Sequence, residues 1–197
     1  MSDVSRETEA RLCHYAELIA KWNPRINLVA RSTLSDILDR HIRDSAQLAD
    51  LVGSVTGKWA DLGSGGGLPG LVAAIQYADR PVDFHLVESD LRKATFLRNC
   101  IRELGLTRVS VHTTRIESLI PAAAGIVSAR ALAPLPLLMS YVQRHLKPGG
   151  TAWLMKGENW QDELRAAQAD WRFHHVAHPS QTHANAVILE VTDIRHA

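Results

Sequence analysis

The chain has 197 residues, 46% of them hydrophobic, with 22 Lys and Arg against 21 Asp and Glu. That is the length of one ordinary domain with a modest extension, and the apolar content argues for a packed core and against disorder. The net charge of +1 excludes a global basic field advertising a nucleic-acid partner. The charge is nevertheless uneven: residues 61–156 carry 11 Lys and Arg against 7 Asp and Glu, while residues 157–197 carry 3 against 6. An anionic macromolecule is therefore expected to meet the middle of the chain. Cys13 and Cys100 are the only cysteines, without metal-ligand spacing and too few for a disulfide framework. Two free thiols in a reducing compartment fit that count. The opening MSDVSRETEARL has no apolar leader core, and no apolar run approaches the ~20 residues of a membrane span. A cytoplasmic protein without a membrane partner is expected, and a monomer.

The first element is a helix on which Leu12, Tyr15, Ala16, Ile19 and Trp22 share one face. Asn23-Pro24 is expected to stop it. A second helix is expected from Ser32 or Thr33, with Asp36 completing a capping-box-like start. Its inner stripe reads Leu34, Ile37, Leu38, His41, Ser45, Leu48 and Val52, and Gly53 ends it. These two helices make a helical N-terminal extension over residues 1–57. From Lys58 short apolar strands (WADL, FHLVES, RVSVHT, GIVSAR, TAWLMK) alternate with helical segments at Leu71 to Tyr77, Leu91 to Leu104 and Leu135 to Leu146. The alternation predicts an α/β fold with a mostly parallel, doubly wound sheet over residues 58–197. The tail adds a helix (Gln161 to Asp170) and two strands, WRFHHVAH and ANAVILEV, separated by the turn-rich PSQTH. They predict an antiparallel hairpin at the sheet edge.

The stretch ADLGSGGGLPGL, Ala60 to Leu71, holds five glycines between a strand and a helix. Gly65 to Gly70 matches G-x-G-x-x-G, and Glu88 ends the next strand, placed to accept ribose hydroxyls. Glycines let a ligand touch the main chain, and Pro69 suits a first helical position. Two ligand classes fit such a loop. A dinucleotide would bring its pyrophosphate to the helix N-terminus, where the Asp61 carboxylate repels it. S-adenosylmethionine has no phosphate and carries a sulfonium and an ammonium, which a carboxylate attracts. The Asp61-Leu62-Gly63-Ser64-Gly65 run therefore favours S-adenosylmethionine over NAD. After the strand RVSVHT, Ile116 is placed to pack on an adenine face, or else only to plug the sheet.

Basic residues suited to RNA phosphates are Arg25 and Arg31 in the extension, and Arg92 and Lys93 opening the Leu91 helix, whose face reads equally as a solvated one. His41 and Asp44, three residues apart, share a helix face. That face either docks over the cofactor mouth or is a polar pair under the extension. His174, His175, His178 and His183 lie without a carboxylate among them, and no metal site is expected.

Several patches together resemble one known family. Trp22-Asn23 with Asn27-Leu28 resembles its K-W-N…N-L signature, and Arg40 to Ser45 its R-H-x-x-D-S signature. Asp61 to Gly70 resembles its D-x-G-(T/S)-G-x-G-x-P-G loop, with an extra glycine at Gly66. Val127 to Ala131 resembles its (I/V)-(S/T)-x-R-A strand end, and Met155-Lys156-Gly157 its K-G strand end. In order over about residues 20–160, these match the RsmG family, also called GidB: guanine-N7 methyltransferases of 16S small-subunit ribosomal RNA. The resemblance implies a Rossmann-like S-adenosylmethionine methyltransferase fold with a helical N-terminal extension. By position it implies cofactor contacts at Gly63, Leu68, Ile116, Glu117 and Arg130, to which the residue reading adds Asp61, Gly65 and Glu88. It implies guanine 527, in rRNA numbering, as the target. It places His41 and Asp44 over the cofactor mouth, with 16S rRNA or the small subunit as partner.

N7 of guanine bears a lone pair and no proton, so its methylation needs no general base. Orientation alone supplies about 7–11 kcal/mol in well-aligned reactions. Catalytic roles are therefore expected to be positional and are assigned to Arg130 and Lys156, at strand ends facing the cleft. Either could hold a phosphate or the guanine O6 edge. The competing reading for either is a structural ion pair, with Glu117 or Asp44. A methyltransferase for another RNA or a small molecule, an NAD oxidoreductase and a non-catalytic ribosome-assembly factor are the rival functions.

Overall fold

The computed structural model describes residues 5–197; the first four residues of the opening read for a leader lie outside it. Seven strands form one sheet in the order β3-β2-β1-β4-β5-β7-β6. They are β1 (Gly57–Leu62), β2 (Val82–Val87), β3 (Val109–His112), β4 (Ala124–Arg130), β5 (Leu146–Lys156), β6 (Trp171–Pro179) and β7 (Val187–His196). The first five run parallel, and β7 pairs antiparallel with both β5 and β6. The sheet is thus parallel with an antiparallel edge hairpin, as the alternation predicts. Its strand order reverses between β1 and β4, so a crevice opens at their carboxyl ends.

Side-chain alternation sends each strand's residues to two cores. Trp59, Phe84, Leu86 and Trp153 face one core, while Ala60, Leu62, Val127 and Leu154 face the other. The first core is closed by helices α1 (Arg6–Ile26), α3 (Gly70–Gln76) and α4 (Leu91–Glu103), with Leu48 of α2 (Asp44–Val52). The second is closed by α5 (Leu135–His145) and α6 (Trp160–Asp170). Each helix of the sheet region lies within a residue or so of its expected bounds. The extension shares the first core: Trp22 of α1 packs on Phe96 of α4 at 5.7 Å between ring centroids.

The extension departs from expectation in two places. Asn23-Pro24 does not stop α1, which continues to Ile26 with Asn27 in the left-handed region as its cap. Pro24 sits in the last turn, where it cannot donate to the Ala20 carbonyl, so the helix loses one bond there without ending. The Asn23 side chain folds over the end instead, accepting the N–H groups of Leu28 and Val29 at 2.7 and 2.8 Å and donating to the Val29 carbonyl at 3.1 Å. The second helix is not continuous. A 3-10 turn at Arg31–Thr33 leads to a π-helical stretch at Leu38–Arg43 before α2, and the Asp36 side chain caps nothing there. A π stretch adds a residue to the turn and moves the inner stripe. Leu38 is therefore exposed and Ile42 is buried in its place. Pro69 precedes the first helical residue of α3 rather than occupying it, and its carbonyl accepts the Ala73 N–H at 3.0 Å.

Candidate active site

Two clefts open side by side at the carboxyl edge of the sheet. The first, of about 440 Å³, is walled by the glycine loop, Glu88, Lys93, Ile116, Glu117 and Tyr141. The second, of about 560 Å³, is walled by Asp44, Met155, Lys156, Glu163, His183 and Ile188. Residues 130–133, which leave β4, line both.

The first cleft is made of backbone. Gly63, Gly65 and Gly67 take positive φ values of 66°, 55° and 90°. A Cβ on Gly65 would meet nothing nearer than 3.8 Å, so it would fill cleft space that a ligand needs. At Gly63 the constraint is the shared wall, since a Cβ there would lie 2.4 Å from Leu132. Glu88 caps the loop. One carboxylate oxygen accepts the Gly65 N–H at 2.8 Å and the other accepts the Asp90 N–H at 2.7 Å. Leu68 and Ile116 line the same cleft as buried apolar surfaces. Glu117 is exposed at the rim, bonded to the Tyr141 hydroxyl at 2.5 Å.

Asp61 lies deeper than its place in the sequence suggests. It is fully buried, and its carboxyl sits behind the loop rather than on the cleft wall. Trp59 donates to the Ser128 hydroxyl at 2.9 Å, and Ser128 donates to Asp61 at 2.6 Å. The other Asp61 oxygen has no hydrogen-bond partner and lies so close to Gly70 that a Cβ there would sit 2.5 Å away. Burial pushes this carboxyl up to about 6, against the opposing pull of Ser128. Any attraction for a cation in the cleft therefore acts through the loop, not by contact.

The second cleft is made of paired side chains. Arg130 donates to Asp44 at 3.0 Å and to the Nδ1 atom of His41 at 3.2 Å. A guanidinium only donates, so Nδ1 must accept and His41 is neutral with its proton on Nε2. That proton points at the Thr33 hydroxyl, 2.7 Å away, which donates to the Ala30 carbonyl at 2.8 Å. Burial, reinforced by Arg130, pushes His41 down to about 4. Asp44 also accepts from Thr182 at 2.6 Å, and Gln47 accepts the Gln181 N–H at 2.6 Å. The extension is thus bonded to both the β4 end and the β6–β7 turn. Lys156 pairs with Glu163 at 2.5 Å and donates to the Ala133 carbonyl at 3.1 Å.

The structure therefore gathers Gly63, Gly65, Leu68, Glu88, Ile116, Glu117 and Arg130 on one cleft, and Asp44, Arg130 and Lys156 on the next. His41 reaches the site through Arg130. The ion-pair partner of Arg130 is Asp44 and not Glu117, and that of Lys156 is Glu163, which the sequence reading did not name. Lys93 lines the first cleft, whereas Arg92 is exposed and pairs with Asp90 at 3.3 Å. Arg25 and Arg31 are exposed on the extension, on neither cleft wall. Among the described residues no group of three or more His, Cys, Asp or Glu gathers as for a metal ion. Nor is any described helix long and apolar enough to cross a membrane. Tyr15 and Leu28 contact the glycine loop from the extension; the sequence reads them only as a helix-stripe position and part of a signature, not as site residues.

Fold and cleft define a class: a Rossmann-like S-adenosylmethionine-dependent methyltransferase. A glycopeptide N-methyltransferase complexed with sinefungin superposes with a TM-score of 0.62 at 13% identity, covering 77% of this chain and 93% of its own. Residues 8–192 match the model of the GidB family, described as rRNA small subunit methyltransferase G, and the chain belongs to that family. Relatives named ribosomal RNA small subunit methyltransferase G include one from Paracoccus denitrificans, 57% identical over 98% of this chain and 99% of its own length. Another, from Cereibacter sphaeroides, is 48% identical over 98% of this chain and 94% of its own.

Proposed function

We propose that the chain transfers the methyl group of S-adenosylmethionine to N7 of one guanine in 16S small-subunit ribosomal RNA, the base numbered 527 by the family resemblance. The observation that carries this reading is the shared wall. Residues 130–133 separate a backbone-built cleft from a charged one, so two ligands can meet across them. The residues of the first cleft fit the cofactor: bare glycine backbone, a carboxylate at Glu88 for ribose hydroxyls, and the apolar Ile116 for a base face. When bound there, S-adenosylmethionine supplies a methyl group on a positively charged sulfur.

The chain's own residues then orient and neutralise. Glu88 holds the loop and offers its remaining lone pairs. Asp61, buried behind the loop, supplies an unmatched negative charge on the cofactor side. Arg130 and Lys156 face the acceptor, each beside its carboxylate. The cleft is therefore close to neutral and does not oppose the positive charge that develops on a methylated guanine. No proton leaves N7, so orientation is the main catalytic task, and the bonded Arg130–Asp44–Thr182 network holds the wall in place for it. Arg25, Arg31, Arg92 and Lys93 are assigned to RNA phosphates.

Methyl-labelled S-adenosylmethionine, incubated with small subunits lacking native modifications, tests the reading. Label on a single 7-methylguanine supports it. Label on another base, on protein or on neither, with the cofactor still bound, contradicts it.

A further inference from the structure

Five glycines in twelve residues make a loop with little shape of its own, since glycine loses the most conformational freedom on folding. The end of β2 and the residue after it hold its beginning: the Val87 carbonyl accepts the Ser64 N–H at 2.9 Å, and Glu88 accepts from Gly65. Its middle, Gly66 to Leu68, is held differently. The Gly67 and Leu68 N–H groups donate to the Ser64 carbonyl, at 2.7 and 3.2 Å. The Gly66 carbonyl accepts the hydroxyl of Tyr15, a fully buried residue of α1. The Gly66–Gly67 peptide is thus pinned at both ends, one of them from outside the sheet domain. The fit is close: a Cβ on Gly67 would lie 2.6 Å from the Tyr15 oxygen.

A second contact comes from the turn after α1. Leu28 lines the cofactor cleft, and a Cβ on Gly66 would lie 3.2 Å from the Leu28 Cβ. Leu28 is seated by Asn23, 1% exposed, whose side chain makes three hydrogen bonds to Leu28 and Val29. The Asn27 φ of 50° completes that turn.

We infer that the N-terminal extension is a working part of the cofactor site: Tyr15 is a positioning residue that fixes the Gly66 carbonyl, and Asn23 one that seats Leu28 against the same loop. Neither Tyr15 nor Asn23 touches the cofactor. Their effect is on how well the loop is shaped before binding, so it appears in affinity. The inference rests on the first cleft being the cofactor site.

The test is calorimetric titration of the full chain with S-adenosylhomocysteine, below the melting range of every variant. Tyr15→Phe removes only the hydroxyl and leaves the Gly66 carbonyl unpaired. The dissociation constant is expected to rise about tenfold, the scale of one buried hydrogen bond. The KM for S-adenosylmethionine rises with it, while that for small subunits does not. Leu28→Ala provides a second reading from outside α1, and it too is expected to weaken binding. A lowered melting temperature with wild-type affinity in the folded protein, in both variants, overturns the inference. Should Tyr15→Phe not fold, wild-type affinity in Leu28→Ala alone overturns it. Absence of binding by the wild-type chain overturns the cofactor assignment itself, a result the variants do not produce.

Discussion

The two clefts share one wall and are built on different principles. The cleft proposed for the cofactor is main chain, shaped by glycines, capped by Glu88 and backed by Asp61 and the extension. Its neighbour is side chain, with each cation already bonded to a carboxylate: Arg130 to Asp44 and Lys156 to Glu163. A backbone site loses most when its shape is altered. A site of half-buried pairs loses most when one partner is removed and the other charge is left behind. Substitutions in the two clefts should therefore separate affinity for the small cofactor from transfer to the large substrate.

The largest effect is expected at the wall. Arg130→Ala strips Asp44 and His41 of their shared partner and loosens the extension from β4. Transfer should fall by about a hundredfold or more, the cost of misplacing a reacting group by about an ångström. S-adenosylhomocysteine affinity, read by calorimetry, should fall far less, since Arg130 is one contact among several on the first cleft. A parallel loss of both would erase the distinction between the clefts.

Glu88→Ala is the complementary break. It leaves the Gly65 and Asp90 N–H groups without acceptors and removes the carboxylate assigned to the ribose. Cofactor affinity should drop by about ten- to a hundredfold, in the range of charge-assisted hydrogen bonds. Subunit binding, measured by filter retention, should hardly change.

Asp61 and His41 sharpen the comparison through pH. Asp61 has its pKa raised to about 6, so the folded state keeps that proton to higher pH than the unfolded chain. Stability from this group is present at low pH and is lost as pH rises from about 4 to 6. His41 has its pKa lowered to about 4, so the unfolded chain takes up that proton first. Stability from His41 is present above about 6.5 and is lost as pH falls towards 4. The two slopes oppose each other. Asp61→Asn removes one, so denaturant titrations between pH 4.5 and 6.5 should show a steeper acid loss, by at most about 1.4 kcal/mol per pH unit. An unchanged slope would mean that Asp61 does not titrate in that window. The same variant should bind S-adenosylmethionine less tightly.

The smallest effect belongs to the exposed arginines. Arg31→Gln should raise the KM for subunits modestly and reduce the salt dependence of binding by about one counterion. It should leave cofactor affinity alone.

Much of this was legible in the chain. Strand–helix alternation gives the sheet and its edge hairpin, and the glycine loop with Glu88 marks the crevice proposed for the cofactor. The family signatures bring Arg130, Asp44 and Lys156 to one place. What stayed hidden depends on contacts between distant residues. Tyr15 meets Gly66 across 51 positions and Asp44 meets Thr182 across 138, and no local pattern announces either. The sign of the Asp61 charge could be read, but not its depth behind the loop. Asn23 was legible as a turn residue, yet its side chain holds the turn after the helix rather than ending the helix. The π-helical stretch moved Ile42 inward and Leu38 outward, which a regular helical period misses by one residue.

The central claim is that the acceptor atom is N7 of a guanine, presented across the Arg130 wall. The most direct measurement replaces that guanine with 7-deazaguanine in reconstituted small subunits, exchanging the N7 nitrogen for carbon, and follows methyl transfer and binding together. The account predicts binding close to that of normal subunits and no methyl on the substituted base. Methyl transfer at the undiminished rate to the substituted subunits would contradict it.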